Sequence, residues 1–80
     1  MLGKNKKTPS QLFGITLREL RKEAGLSQES LALSADLQRN YVSLIELGRN
    51  QPTVTTIFKL AEALDITPSK LIKLTEEKLK

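Results

Sequence analysis

Residues Gly25–Gly48 read GLSQESLALSADLQRNYVSLIELG, and how this stretch divides decides the fold. Ser27 suits an N-cap, because its hydroxyl can accept a hydrogen bond from an amide that the first helical turn leaves unpaired. Glu29 puts a negative charge in that turn, where the helix dipole favours one. Leu31, Ala32 and Ala35 give the short helix one apolar face. Ala35, Asp36 and Leu37 then make the connection to a second short helix. In that helix Val42 and Ile45 point one way, while Asn40, Ser43, Leu44 and Leu47 lie roughly opposite with Arg39 at the edge. Its first turn, Gln38-Arg39-Asn40, is polar and long-armed, and Gly48 closes it.

The same reading extends outward in both directions. Thr8-Pro9-Ser10-Gln11 has the form of a helix start, with Thr8 as cap, Pro9 at the first helical position and Gln11 able to reach back. Phe13, Leu17, Leu20 and Ala24 follow as one helical face, and Gly25 supplies the stop. Leu12 and Ile15 fall on the opposite side of that helix. After Gly48, Arg49-Asn50-Gln51-Pro52 is a polar loop whose proline keeps the preceding helix from resuming, and Thr53 caps a fourth helix. Ile57, Leu60, Ala61 and Leu64 form the clearest amphipathic stripe in the chain. Thr67-Pro68 repeats the cap-then-proline start and opens a fifth helix with Leu71, Ile72 and Leu74 as apolar positions. No β-branched alternation argues for strands. The expectation is an all-α, compact five-helix domain over residues 9–80, preceded by a flexible basic arm over 1–8 that carries Lys4, Lys6 and Lys7.

Eighty residues make one small domain, and at that size folding buries only about 60% of the unfolded chain's surface. A homodimer that lends core to each protomer is therefore expected, with Leu71, Ile72 and Leu74 at its interface. The chain has no cysteine and no histidine, which removes thiolates, imidazole bases and the usual zinc ligands. No metal, cofactor, small-molecule ligand or catalytic site is expected, since the acidic residues form no acid–base pair and no glycine-rich phosphate loop occurs. No apolar run approaches the roughly 18–20 residues that span a bilayer, and nothing resembles a signal peptide, so a cytoplasmic protein without membrane contact is expected. Thirteen Lys and Arg against nine Asp and Glu give a net charge of +4, which permits a polyanionic partner without requiring one.

Helices two and three fit the helix-turn-helix plan, in which a small turn sets two helices at a steep angle so that the second can lie in a DNA major groove. Arg, Asn and Gln are the side chains whose donors and acceptors match guanine or adenine there, so Arg39 suits guanine O6 and N7 and Asn40 suits adenine N6 and N7. On the residues alone, the polar first turn either reads bases or hydrates an exposed helix start.

From Phe13 to Ile72 the sequence resembles the Cro/repressor type of helix-turn-helix protein, the XRE-like, lambda-repressor-like family. The motifs that carry the resemblance are LRELR before GLSQ, the IELG end of helix three, the following RNQPT, and LAEALDI. The resemblance implies a transcriptional regulator bound as a homodimer to double-stranded DNA at a roughly palindromic operator. It implies base reading by Gln38, Arg39, Asn40, Ser43 and Leu44, and backbone contacts from Ser27, Gln28, Arg49, Asn50 and Thr53. It also implies a structural salt bridge between Arg21 and Glu46. Within the family, a chain ending soon after helix five looks like phage Cro-like repressors and the controller proteins of restriction-modification systems. Asp36 departs from the pattern, standing where the turn often has glycine, and Leu44 and Leu47 are apolar on an outward face. An alternative of the same fold is an antitoxin-like module that sequesters a toxin through Leu12, Ile15 and Leu33.

Overall fold

A computed structural model describes residues 7–79, so Lys4 and Lys6 of the basic arm lie outside the described residues. Five helices follow in order: α1 over Pro9–Glu23, α2 over Gln28–Ala35, α3 over Arg39–Glu46, α4 over Val54–Ala63 and α5 over Pro68–Glu77. Among the described residues there is no strand.

Four of the five helices, all but α3, begin at a side-chain cap. Gln11 N donates to the Thr8 hydroxyl at 3.1 Å while Thr8 N donates to Gln11 Oε1 at 2.8 Å, a complete capping box that ties Thr8 to α1. Ser27, Thr53 and Thr67 accept in the same way from the amides of Ser30, Thr56 and Lys70. A cap of this kind is worth about 1 kcal/mol. Ala35 is the last residue of α2 and is buried, so the connection to α3 starts one residue later than the sequence suggested. Asp36 makes the turn with φ of 58°, left-handed, a conformation that aspartate tolerates better than most non-glycine residues.

Phe13 and Leu17 of α1, Leu31, Ala32 and Ala35 of α2, Val42 and Ile45 of α3, Leu60 and Ala61 of α4 and Leu71 of α5 form one core. The fully buried leucines and Ile45 contribute roughly 1.5–3 kcal/mol each. Helix α1 packs on α3 and α5, α2 packs on α3 and α4, and α4 packs on α5. Thus α3 is backed by two helices along its apolar side.

Burial corrects three sequence expectations. Leu71 is fully buried within its own protomer, so it has no surface to give to a dimer interface; five short helices need it to close their core. Leu12 is buried as well, because the angle at which α1 meets its neighbours covers more of its circumference than one stripe. Ala24 is exposed, since it caps the end of α1 after the packed face has passed.

Gly14, mid-helix in α1, permits a close approach of that helix to the backbone at the end of α3. A Cβ there would lie 2.6 Å from the Glu46 carbonyl oxygen and also against that of Ile45. The missing side chain lets α1 lie directly on the end of α3.

Candidate nucleic-acid interface

The leading end of α3 is polar and exposed. Gln38 is its N-cap but makes no side-chain capping bond, leaving its amide unattached to the helix. Arg39 and Asn40 are exposed, and among the described residues neither side chain has a hydrogen-bond or ion-pair partner. Further along the same helix Val42 and Ile45 are wholly buried, so the helix is anchored by its back and presents its head. Ser43 and Leu44 are half-buried further along. Leu44 also serves through its backbone: its carbonyl accepts from Arg49 N at 2.9 Å and Asn50 N at 3.3 Å, folding the Arg49–Asn50 loop back onto α3.

The start of α2 lies beside the end of α3 through a cluster around Glu46. Arg21 of α1 donates from Nε to Glu46 Oε2 at 2.6 Å and from Nη2 to Oε1 at 3.1 Å. Arg21 Nη1 donates to the Leu26 carbonyl at 2.8 Å, so one guanidinium joins α1, the turn before α2 and α3. The Arg21–Glu46 salt bridge implied by the resemblance is therefore present, and it is almost completely withdrawn from water. A bidentate guanidinium whose third nitrogen also finds an acceptor is the geometry that makes a buried pair tolerable.

Gln28 joins this cluster, donating from Nε2 to Glu46 Oε1 at 3.0 Å. The resemblance gave Gln28 a backbone-contacting role but no partner in the protein. Its side chain is only half-buried, and its helical position leaves its backbone N–H pointing out of the first turn of α2. Ser27 spends its hydroxyl on the cap, in contact with Ser30.

Arg49 is exposed without an ion-pair partner among the described residues, and Asn50 is half-buried beside it. Thr53 starts α4, its hydroxyl donating to Thr56 Oγ1 at 3.1 Å while accepting from Thr56 N. Tyr41 extends that chain, its hydroxyl lying 3.3 Å from Thr56 Oγ1, and so pins α3 to the start of α4. Sequence reasoning missed Tyr41 and Thr56. The available signal was the chain's one tyrosine, placed on a short helix where a buried ring with a polar tip needs a partner.

The structure thus places Gln38, Arg39 and Asn40 at the head of α3, Gln28 beside its far end through Glu46, and Thr53 next to Tyr41 through Thr56. It separates from them Leu71, which is core, and Ile72 and Leu74, which lie on α5. Among the described residues no group of three or more metal-ligating side chains occurs, and no helix is long and apolar enough to cross a membrane.

Comparison with known proteins places this arrangement. The family described as helix-turn-helix matches residues 17–71. The HTH-type transcriptional regulator y4dJ of Sinorhizobium fredii is 37% identical over 67 residues, covering 84% of this chain and 87% of that protein. Control protein C.MunI of a Mycoplasma species is 45% identical over 60 residues, covering 74% of this chain and 81% of its own. Among solved structures, the restriction-modification controller protein C.AhdI from Aeromonas hydrophila superposes with a TM-score of 0.76 at 48% identity, over 78% of this chain and 94% of that one.

Proposed function

The chain belongs to the helix-turn-helix family, and from that premise we propose that it binds double-stranded DNA sequence-specifically and regulates transcription as a homodimer on a roughly palindromic operator. One observation carries the reading: Arg39 and Asn40, without a side-chain partner among the described residues, at the exposed head of a helix whose back is fully buried. An unattached guanidinium and amide, held on a rigid element, are the groups that make bidentate contacts to guanine and adenine in the major groove. Gln38 stands beside them, and Ser43 and Leu44 follow along the helix.

The backbone of the duplex is held by the surrounding helix starts. The α2 amides with Gln28, and Arg49 with Asn50 and Thr53, offer phosphate donors and one positive charge on either side of α3. The names of the relatives point the same way, to a transcriptional regulator and to control proteins. The family is one of DNA-binding regulators, not one of enzymes.

The dimer surface moves with the correction of Leu71. Val54, Phe58 and Ile72 are 71%, 58% and 45% exposed, three large apolar side chains along the edge between α4 and α5. A second copy is the occupant proposed for it, and Leu74, half-buried, lies at its margin. The toxin-binding alternative gains nothing: Leu12 is in the core and Leu33 stands alone at 82% exposure.

The test is selection of bound fragments from random duplex DNA, followed by affinity measurements on the selected site and all its single-base-pair substitutions. A two-fold symmetric consensus is expected. Absence of any sequence preference, with folded protein and low salt, would remove the reading.

A further inference from the structure

We infer that Glu46 is a positioning residue for DNA binding: it holds the Gln28 amide so that one N–H of that amide is aimed at a backbone phosphate. This rests on the reading above, in which Gln28 contacts the duplex, and adds a residue that itself never reaches DNA, being 3% exposed in its side chain.

A carboxylate only accepts, so the amide face turned toward Glu46 Oε1 at 3.0 Å must be the NH2 group. That group has two N–H bonds about 120° apart. One is spent on Glu46, and the second remains for a ligand on the exposed side. Glu46 is in turn fixed by both Arg21 contacts, at 2.6 and 3.1 Å, and Arg21 by the Leu26 carbonyl two residues before Gln28. The ring of contacts runs from α1 through α3 to α2 and back through the turn. Without it Gln28 would be a flexible surface side chain that loses its rotamer freedom on binding. With it that freedom is already lost in the free protein, which is how preorganisation raises affinity.

The inference predicts a sign that charge alone does not. Glu46→Gln removes a negative charge, which by simple electrostatics should strengthen binding to a polyanion. If Glu46 positions Gln28, the same change weakens it. A purely architectural Glu46 would also weaken binding, but equally at every phosphate.

The experiment is a methylphosphonate scan of the selected operator with wild type, Gln28→Ala and Glu46→Gln, each checked for folding by circular dichroism. One phosphate per half-site should cost the wild type about tenfold in affinity when neutralised, within the range of couplings between contacting groups. Gln28→Ala and Glu46→Gln should each bind the unmodified operator about tenfold more weakly, and show no further loss at that phosphate. Glu46→Gln binding as tightly as wild type, or keeping the full tenfold sensitivity there, overturns the inference. Should Glu46→Gln fail to fold, nitrogen relaxation of the Gln28 side-chain amide in the wild type decides instead. It should be as restricted as the backbone both free and on DNA, and an amide as mobile as that of exposed Gln38 overturns the inference. A wild type that selects no duplex removes the DNA-binding reading and this inference with it. A wild type that binds but lacks the coupling removes this inference alone.

Discussion

At the scale of single residues, Arg39 and Asn40 differ in what they contribute although they stand side by side. Each offers a bidentate contact to one base, so Asn40→Ala and Arg39→Ala should each cost about 1–3 kcal/mol on the best site and relax preference at particular base pairs. On unrelated DNA Asn40→Ala should cost little, whereas Arg39→Ala also removes a charge and should weaken binding to every sequence. Titrations on the selected site, its single-base-pair substitutions and an unrelated duplex separate the two effects. Both variants retaining the wild-type ranking of sites would show that α3 is not the reader. These positions were legible in the sequence because exposure follows from the period of Val42 and Ile45 on so short a helix. The Arg21–Glu46 pair was legible only through the resemblance, since nothing local joins two residues in different helices. Gln28 joining that pair was not legible at all: the first turn of α2 says which side chains are polar, not which of them reaches the end of α3.

Among the elements, α3 has only eight residues, and an isolated helix shorter than about 12–15 residues is marginal in water. Its conformation and aim are therefore set by what it packs on, and Gly14 lets α1 lie against its end. Gly14→Ala would gain up to about 1 kcal/mol of helix propensity in α1. It would also press a methyl group against the Ile45 and Glu46 carbonyls, which are backbone atoms and cannot rotate away. Overpacking typically costs about 1–3 kcal/mol, so the unfavourable effect wins. Gly14→Ala should lower the unfolding free energy and, in folded molecules, weaken operator binding by tilting α3; urea titration with circular dichroism checks the first and binding the second. An unchanged midpoint would mean that the two helices separate more easily than the contact implies. Asp36→Gly is the counterpart, expected to stabilise or leave stability unchanged, because the left-handed turn favours glycine and the Lys59 contact at 3.9 Å on an exposed carboxylate contributes little. Helix starts were legible because caps are local. The crossing of α1 on α3 was not, since a glycine within a helical pattern does not name the backbone that will lie against it.

For the molecule as a whole, the balance between core and interface decides how it assembles. Leu71 was expected at the dimer contact because length alone argues that a small chain has apolar surface to share. That argument gives an amount of surface, not its place. Full burial of Leu71 puts it on the folding side of the balance, while Val54, Phe58 and Ile72 remain uncovered. The two sides can be told apart by substitution. Leu71→Ala removes buried methyl groups from the core and should cost about 2–5 kcal/mol of stability, seen as a lower thermal midpoint at every protein concentration. Phe58→Asp places a charge where a partner's apolar surface is expected and leaves the protomer core untouched. Loss of a central aromatic anchor costs about 2 kcal/mol or more, so the dimer dissociation constant should rise at least about 30-fold while the helical spectrum is kept. Sedimentation velocity across a concentration series measures this directly. On DNA the same variant should bind a single half-site about as well as wild type but lose most of its advantage on the palindrome, because that advantage comes from tethering two heads at an effective concentration. Salt adds an independent reading: log affinity should fall linearly with log salt by about 0.9 per phosphate neutralised, and a dimer engages twice as many phosphates as one protomer. Phe58→Asp on a half-site should therefore show about half the wild-type slope on the palindrome. An equal slope, with the variant monomeric by sedimentation, would mean that the second protomer makes no phosphate contacts of its own and that the paired-head arrangement is wrong.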